Sequence, residues 1–213
     1  MASNLLALAH DGIENDAERL LTNLAAIEFL SQTNQHVQAD SLLQPLLDHA
    51  KFSKWAGLWR LGAQIAEKRE QTARSIECLE RALEIEYRHL PEVINLETVR
   101  QEYGKLLNHY DSLANAAAAM KIEPPGDLAA RTVRAADRWR AIDRDSNAPC
   151  QSAAKVLRTL GAEDMAWDYQ TTPIGQRPNE SDPWLVLAQS LAQQGHLDLA
   201  DRAFAAAFEA EPT

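Results

Sequence analysis

The stretch from Asp182 to Pro212, DPWLVLAQSLAQQGHLDLADRAFAAAFEAEP, decides the fold. Trp184, Leu187, Ala188 and Leu191 recur at i, i+3, i+4 and i+7, one stripe of an α-helix. Asp182 is placed to cap that helix, with Pro183 at its first position, where a missing N–H costs nothing. Gly195 ends it, because a left-handed residue is least strained as glycine. A second stripe follows: Ala200, Ala203, Phe204, Ala207 and Phe208. The small residues fall where two helices approach closely, and Phe204 is expected to fill the space between them. Such a two-helix unit cannot bury its apolar face alone, so units of this kind stack until a continuous core forms.

The same spacing recurs upstream. Asn23, Ala26, Ile27 and Leu30 are followed by Ala39, Leu43 and Leu46; Trp59, Gly62, Ala63 and Ala66 by Ser75, Leu79 and Ala82. A third match sets Leu96, Val99, Arg100 and Tyr103 before Ser112, Ala116, Ala119 and Pro124. The gap of nine residues between the two stripes is constant. The order large, Leu, small, large, then small, Phe, Ala, Pro at these spacings resembles the tetratricopeptide repeat (TPR). The resemblance implies an all-α fold, a right-handed α-α superhelix or TPR-like solenoid of about five helical hairpins. It is read as one domain over residues 1–213, with regular repeats at about 20–53, 56–90, 93–126 and 181–213. Asn15 with Glu18 resembles a capping box opening the first hairpin. Pro45 falls inside an expected helix, which it should kink or whose start it should displace.

Residues 127–180 depart from the pattern and read as an irregular hairpin and linker. One helix is expected from about Leu128 to Ile142 and another from Pro149 to Leu160, stopped by Gly161. A short helical piece, Glu163 to Tyr169, precedes a Pro-, Gly- and polar-rich linker from Thr171 to Pro183.

Composition agrees with helices: Ala, Leu, Glu and Arg are abundant and β-branched residues sparse. The net charge of −10, with both signs mixed along the helices, argues against a nucleic-acid partner, which needs a basic face. It favours a basic or apolar protein partner. Met1 to His10 has no basic region and too short an apolar run for a signal peptide, and no apolar run approaches the length of a membrane span, so no membrane partner is expected. Cys78 and Cys150 fall in different repeats and read as buried, reduced thiols, which implies a cytoplasmic setting.

Catalytic signatures are lacking. The histidines sit singly, and the sequence holds no metal-ligand spacing, nucleophile elbow or phosphate-binding loop. No cofactor, metal or catalytic residue is expected, and the chain reads as a non-enzyme. Asp143 with Asp145, and Glu84 with Glu86, read as solvated pairs.

Arg131, Arg134 and Arg138 share one helix face, extended by Arg140 and Arg144, with Trp139 among them. In TPR stacks the first helix of each hairpin lines the concave groove. The resemblance thus implies a basic, partly aromatic patch for an acidic or C-terminal carboxylate group, since arginine forks match carboxylates. The competing reading is a solvated face whose arginines pair with Asp127, Asp137 or Asp143. The groove contacts expected are Arg60, Gln64, Gln101, Lys105, Arg131, Arg138 and Trp139. Arg60 and Gln64 imitate part of the carboxylate clamp of chaperone-binding TPR domains. Thr98 and Thr132 stand where that clamp needs other residues, so chaperone binding is not expected. Trp59 and Tyr103 fit core slots, Tyr110 a groove or turn position, and Trp167 with Tyr169 a pin for the linker.

The last repeat should expose its stacking end at Ala207 and Phe208. Two explanations stand: a longer protein continues past Thr213, or a homodimer forms through the C-terminal repeat. A short helix over Asn4 to His10 is expected to cover the first hairpin. The function expected is a protein-protein interaction scaffold that binds a partner peptide or helix in its groove. The alternative is a regulatory or targeting TPR region of a larger enzyme.

Overall fold

The computed structural model describes residues 16–90 and 95–210. Within them the fold is all-α, with ten α-helices and no strand. The chain forms two compact units, Met1–Asn95 and Leu96–Thr213. In the first, α1 (Asp16–Gln32) pairs with α2 (His36–Asp48), and α3 (Ala56–Lys68) with α4 (Thr72–Arg88); a single 3-10 turn, Phe52–Lys54, joins the two hairpins. The second holds α5 (Leu96–Met120), α6 (Leu128–Ile142), α7 (Ala148–Thr159), α8 (Glu163–Gln176), α9 (Ser181–Gln193) and α10 (Leu197–Ala210). The expected capping residue Asn15, the segment Asn4 to His10 and Pro212 lie outside the described residues.

Four of the hairpins turn in the same way. A left-handed residue ends the first helix: Asn34 (φ 58°), Glu70 (φ 59°), Gly161 (φ 74°) and Gly195 (φ 82°). At each, its N–H bonds to the carbonyl three residues back and the next N–H to the carbonyl five back, as in His196 N–H to Leu191 O at 2.9 Å. This double closure satisfies carbonyls that a helix end otherwise leaves open. The second helix begins two residues after the left-handed one. Counted from it, positions −8, −7 and −4 are Ala26, Ile27, Leu30; Gly62, Ala63, Ala66; Ala153, Ala154, Leu157; and Leu187, Ala188, Leu191, all buried. Position +5 is Ala39, Ser75, Ala166 or Ala200, again buried, because there the second helix crosses closest to the first.

This register gives a TPR-like repeat over α7 and α8, where the sequence reading put an irregular hairpin and linker. The third match corrects in the opposite sense. Residues 96–120 form one helix of 25 residues, not two. Val99, Tyr103, Leu106, Leu107, Tyr110, Ala114 and Ala117 make one unbroken buried stripe along it, while Ser112, Ala116 and Ala119, expected in the core, are exposed. Tyr110, expected at the groove, is buried in that stripe. The expected linker is likewise helical as far as Gln176, and only residues 177–180 separate α8 from α9. Pro173 sits inside α8 on its buried face with Ala166, Tyr169 and Gln170. The Thr172 hydroxyl donates to the Asp168 carbonyl at 2.6 Å, supplying a bond near the proline's missing N–H.

Smaller corrections follow from contacts. Pro45 lies late in α2 without displacing its start at His36. Asp182 is in the first turn of α9 but makes no cap; its carboxylate accepts a bond from Asn147 Nδ2 at 2.6 Å. Trp59 and Trp184 occupy the same half-buried slot in their hairpins. Each indole N–H donates to the carbonyl six residues earlier, Ser53 at 2.7 Å and Pro178 at 3.1 Å.

Both cysteines are free and buried. Burial pushes the Cys78 thiol up to about 11, with Arg74 opposing the shift and Glu77 and Asp40 adding to it. A thiol with a folded pKa above its unfolded value adds stability below the unfolded value, here 9.0, and loses it as pH rises toward the folded one. Chemical denaturation should therefore show flat stability to about pH 8 and a decline above about pH 9, with a shallower decline in Cys78→Ala. Parallel declines in the two proteins would show that this thiol is not the source.

Candidate functional site

The repeat register decides which side chains a first helix presents. On α7 the positions Cys150, Ala153, Ala154 and Leu157 turn inward, leaving Gln151, Lys155 and Arg158 along the flank. On α9 the inward set is Trp184, Leu187, Ala188 and Leu191, leaving Gln189 and Gln193 exposed. Between these flanks lies a pocket of about 280 Å³, with Gln170 and Pro173 of α8 among its lining residues.

Gln170 is the unusual residue. It occupies the second-helix slot that Leu43 and Leu79 fill in the first unit, and it is only 7% exposed. Its Oε1 accepts a bond from Arg158 Nη2 at 2.6 Å. Its Nε2 has no partner, nor has Arg158 Nε a hydrogen-bond acceptor. A buried donor without an acceptor costs about 1–3 kcal/mol. Lys155 reaches over the rim to Asp111 Oδ2 of α5 at 2.8 Å and is otherwise largely in solvent. Arg158 Nε faces Glu163 Oε2 at 3.9 Å, so the pocket combines one unpaired amide donor, an arginine, a lysine and exposed amides, an arrangement that fits backbone carbonyls or a carboxylate.

The residues expected at the groove separate. Arg60 and Gln64 lie on α3; Arg60 Nη1 contacts Glu86 Oε1 of α4 at 2.7 Å. Gln101 and Lys105 are exposed on α5, where Gln101 Nε2 donates to Glu97 at 3.0 Å. Arg131 and Arg138 are on α6, which packs on both α5 and α7, while α7 forms its hairpin with α8. Arg131 stands over the Tyr110 ring at 5.3 Å and 3.8 Å from Asp127. Trp139, expected as a contact, is 8% exposed and belongs to the core. A Cβ on Gly104 would lie 3.3 Å from its ring, so the glycine admits the indole against α5. Tyr169 does pin its segment: its hydroxyl donates to Asp137 Oδ1 of α6 at 2.8 Å, and burial beside that carboxylate raises its pKa. Trp167 is exposed.

At the far end, Ala207 is 3% exposed, which corrects its expected place on the open face. Phe208 is 73% exposed, and Phe204, expected to fill the hairpin, is 42% exposed. Ala203 and Ala207 take the helix contact instead, and both rings turn outward. No helix among the described residues is long and apolar enough to cross a membrane.

No protein-family model matches the chain, and no curated protein sequence is detectably similar to it. Solved structures of MamA overlap it. One titled "Crystal structure of MamA" gives a TM-score of 0.48 at 13% identity, covering 86% of this chain and 93% of that one. "MamA AMB-1 P212121" gives 0.48 at 21% identity, covering 91% and 92%. "MamA MSR-1 C2" gives 0.46 at 18% identity, covering 90% and 96%. The fold is TPR-like. That assignment stands on this chain's own helices, turns and slot register.

Proposed function

We propose that the chain is a non-catalytic protein-interaction scaffold whose second unit takes an extended partner segment between α7 and α9. The observation that carries this reading is Gln170, a buried amide in an apolar slot that lines the pocket and whose donor is unpaired. A polar group kept there at a stability cost is best explained by an acceptor that arrives with a ligand. Lys155 and Arg158 supply charge, so a partner carbonyl beside an acidic side chain or a terminal carboxylate fits the donor set. Rigid helices on both sides mean little reorganisation on binding. Gln101 and Lys105 on α5, and Arg60 and Gln64 on α3, are first-helix positions proposed as further contacts within their own units.

Gln170→Leu tests the reading directly. Leucine restores the residue found at this slot in the first unit and removes the unpaired amide. Stability should change by no more than about 1 kcal/mol, because the unpaired amide is lost together with the acceptor for Arg158 Nη2, while affinity for peptides selected against the native protein should fall at least about tenfold. Fluorescence anisotropy with those peptides, beside urea denaturation, measures both. Peptides that bind Gln170→Leu and Lys155→Glu as well as the native chain would remove this pocket as the binding site.

A further inference from the structure

A second cleft lies where α6 and α8 end; it shares Cys150 and Pro173 with the lining of the groove just described, and its other lining residues are its own. We propose that it docks an acidic, aspartate- or glutamate-rich segment of a partner protein. Its volume is about 700 Å³ and it is open to solvent. Arg140, Arg144 and Arg177 are among its lining residues. In a chain of net charge −10, these three arginines face two aspartates in the lining, Asp137 and Asp145, a local excess of positive charge.

The three guanidinium groups differ in how they are held. Arg177 is fixed: Nη1 donates to the Asp145 carbonyl at 2.6 Å and to Glu180 Oε2 at 2.8 Å, and Nη2 donates to Asn147 Oδ1. Its Nε has no hydrogen-bond partner. Arg140 lies 6.0 Å from the Tyr169 ring centroid and contacts Asp137 Oδ1 at 3.2 Å. Arg144 is exposed and makes no hydrogen bond or ion pair among the described residues. The chain's own carboxylates therefore show what the cleft accepts. Asp137 sits against Arg140 and Glu180 against Arg177, with side chains 53% and 48% exposed. Half-solvated pairs of this kind are weak; Asp137 is held in addition by the Tyr169 hydroxyl at 2.8 Å, Glu180 by Arg177.

The size of the cleft selects the class of anion. A lone inorganic ion would fill a small part of it. An extended acidic segment places same-side carboxylates about 7 Å apart, and so presents several of them along a cleft lined by Arg140, Arg144 and Arg177. Its attraction would be strong at low salt and screened at high salt.

Fluorescein-labelled hexaglutamate added to the full chain provides the probe. We expect saturable binding that weakens as salt is raised, a loss of at least about tenfold in Arg144→Glu, retention within about threefold in Arg144→Lys, and no change in the groove variant Lys155→Glu. Arg144 and Lys155 are both exposed, so the folds of these variants should be intact, which thermal melts would check. No saturation up to about 1 mM peptide would overturn the proposal. An equal loss in Lys155→Glu would overturn it too, by showing diffuse attraction or binding at the groove. Displacement of the peptide by inorganic phosphate at submillimolar concentration would reassign the cleft to a small anion. Failure here leaves the result for Gln170→Leu untouched, and the reverse holds.

Discussion

Leu157→Ala is expected to remove about 3–4 kcal/mol of stability, because leucine-to-alanine changes in closed cores cost the transfer free energy plus the cavity left behind. Leu157 is completely buried. It sits four residues before the left-handed Gly161, and its carbonyl accepts the Ala162 N–H at 2.9 Å in the turn to α8. The loss therefore falls on the pivot of a hairpin. Ala116→Glu is the control. Ala116 is exposed on α5, and the substitution should change stability by no more than about 0.5 kcal/mol. Urea denaturation of both variants measures the contrast. A large cost for Ala116→Glu with a small one for Leu157→Ala would restore the hairpin that the sequence suggested at residues 96–124.

The second large effect belongs to the first unit. Gly62→Leu should cost about 3 kcal/mol, since the helices cannot separate to admit the side chain without loosening the contacts around it. A Cβ at this position would already lie 3.1 Å from Cys78 Sγ, 3.5 Å from Leu43 Cδ2 and 3.6 Å from Leu47 Cδ1. Gly62→Ala is more finely balanced. Alanine gains about 1 kcal/mol of helix propensity over glycine, against a contact that the buried thiol must yield to. Removing the sulfur separates the two effects: Gly62→Ala with Cys78→Ala should recover the propensity gain beyond the sum of the single changes. Strict additivity across that cycle would show that Gly62 and Cys78 do not meet.

The sequence carried the repeat register, but one local signal was needed to use it fully. In each of the four like hairpins, the residue four beyond the last large slot of the first helix is left-handed: Asn34, Glu70, Gly161 and Gly195. In the third sequence match that position is Leu107. Leucine does not readily take that conformation, and Leu107 instead sits buried within a continuous helix. Ser112, Ala116 and Ala119 satisfied the template only because small residues suit an exposed helix as well as a close crossing. The hairpin of α7 and α8 went unread for the opposite reason. Cys150, Gln170 and Pro173 stand where the pattern favours Trp, Phe or Leu, and Ala, and Pro173 with Gly175 resembles a linker. The pocket between α7 and α9 was hidden with it, since Lys155 and Arg158 gain meaning only once α7 is known to be a first helix. Trp139 failed differently: helical spacing put it among arginines, and only Gly104 on α5 makes room for its ring.

The indole bonds of Trp59 and Trp184 give each unit an internal reporter. Each ties the connection entering its hairpin to the first turn of the helix that follows, so the strand of chain and the chromophore move together. Loosening of that joint would expose the ring nitrogen to exchange and shift its emission before the helices themselves melt. With one tryptophan retained at a time, the opening of either junction becomes readable by light alone, separately in the two halves of the chain.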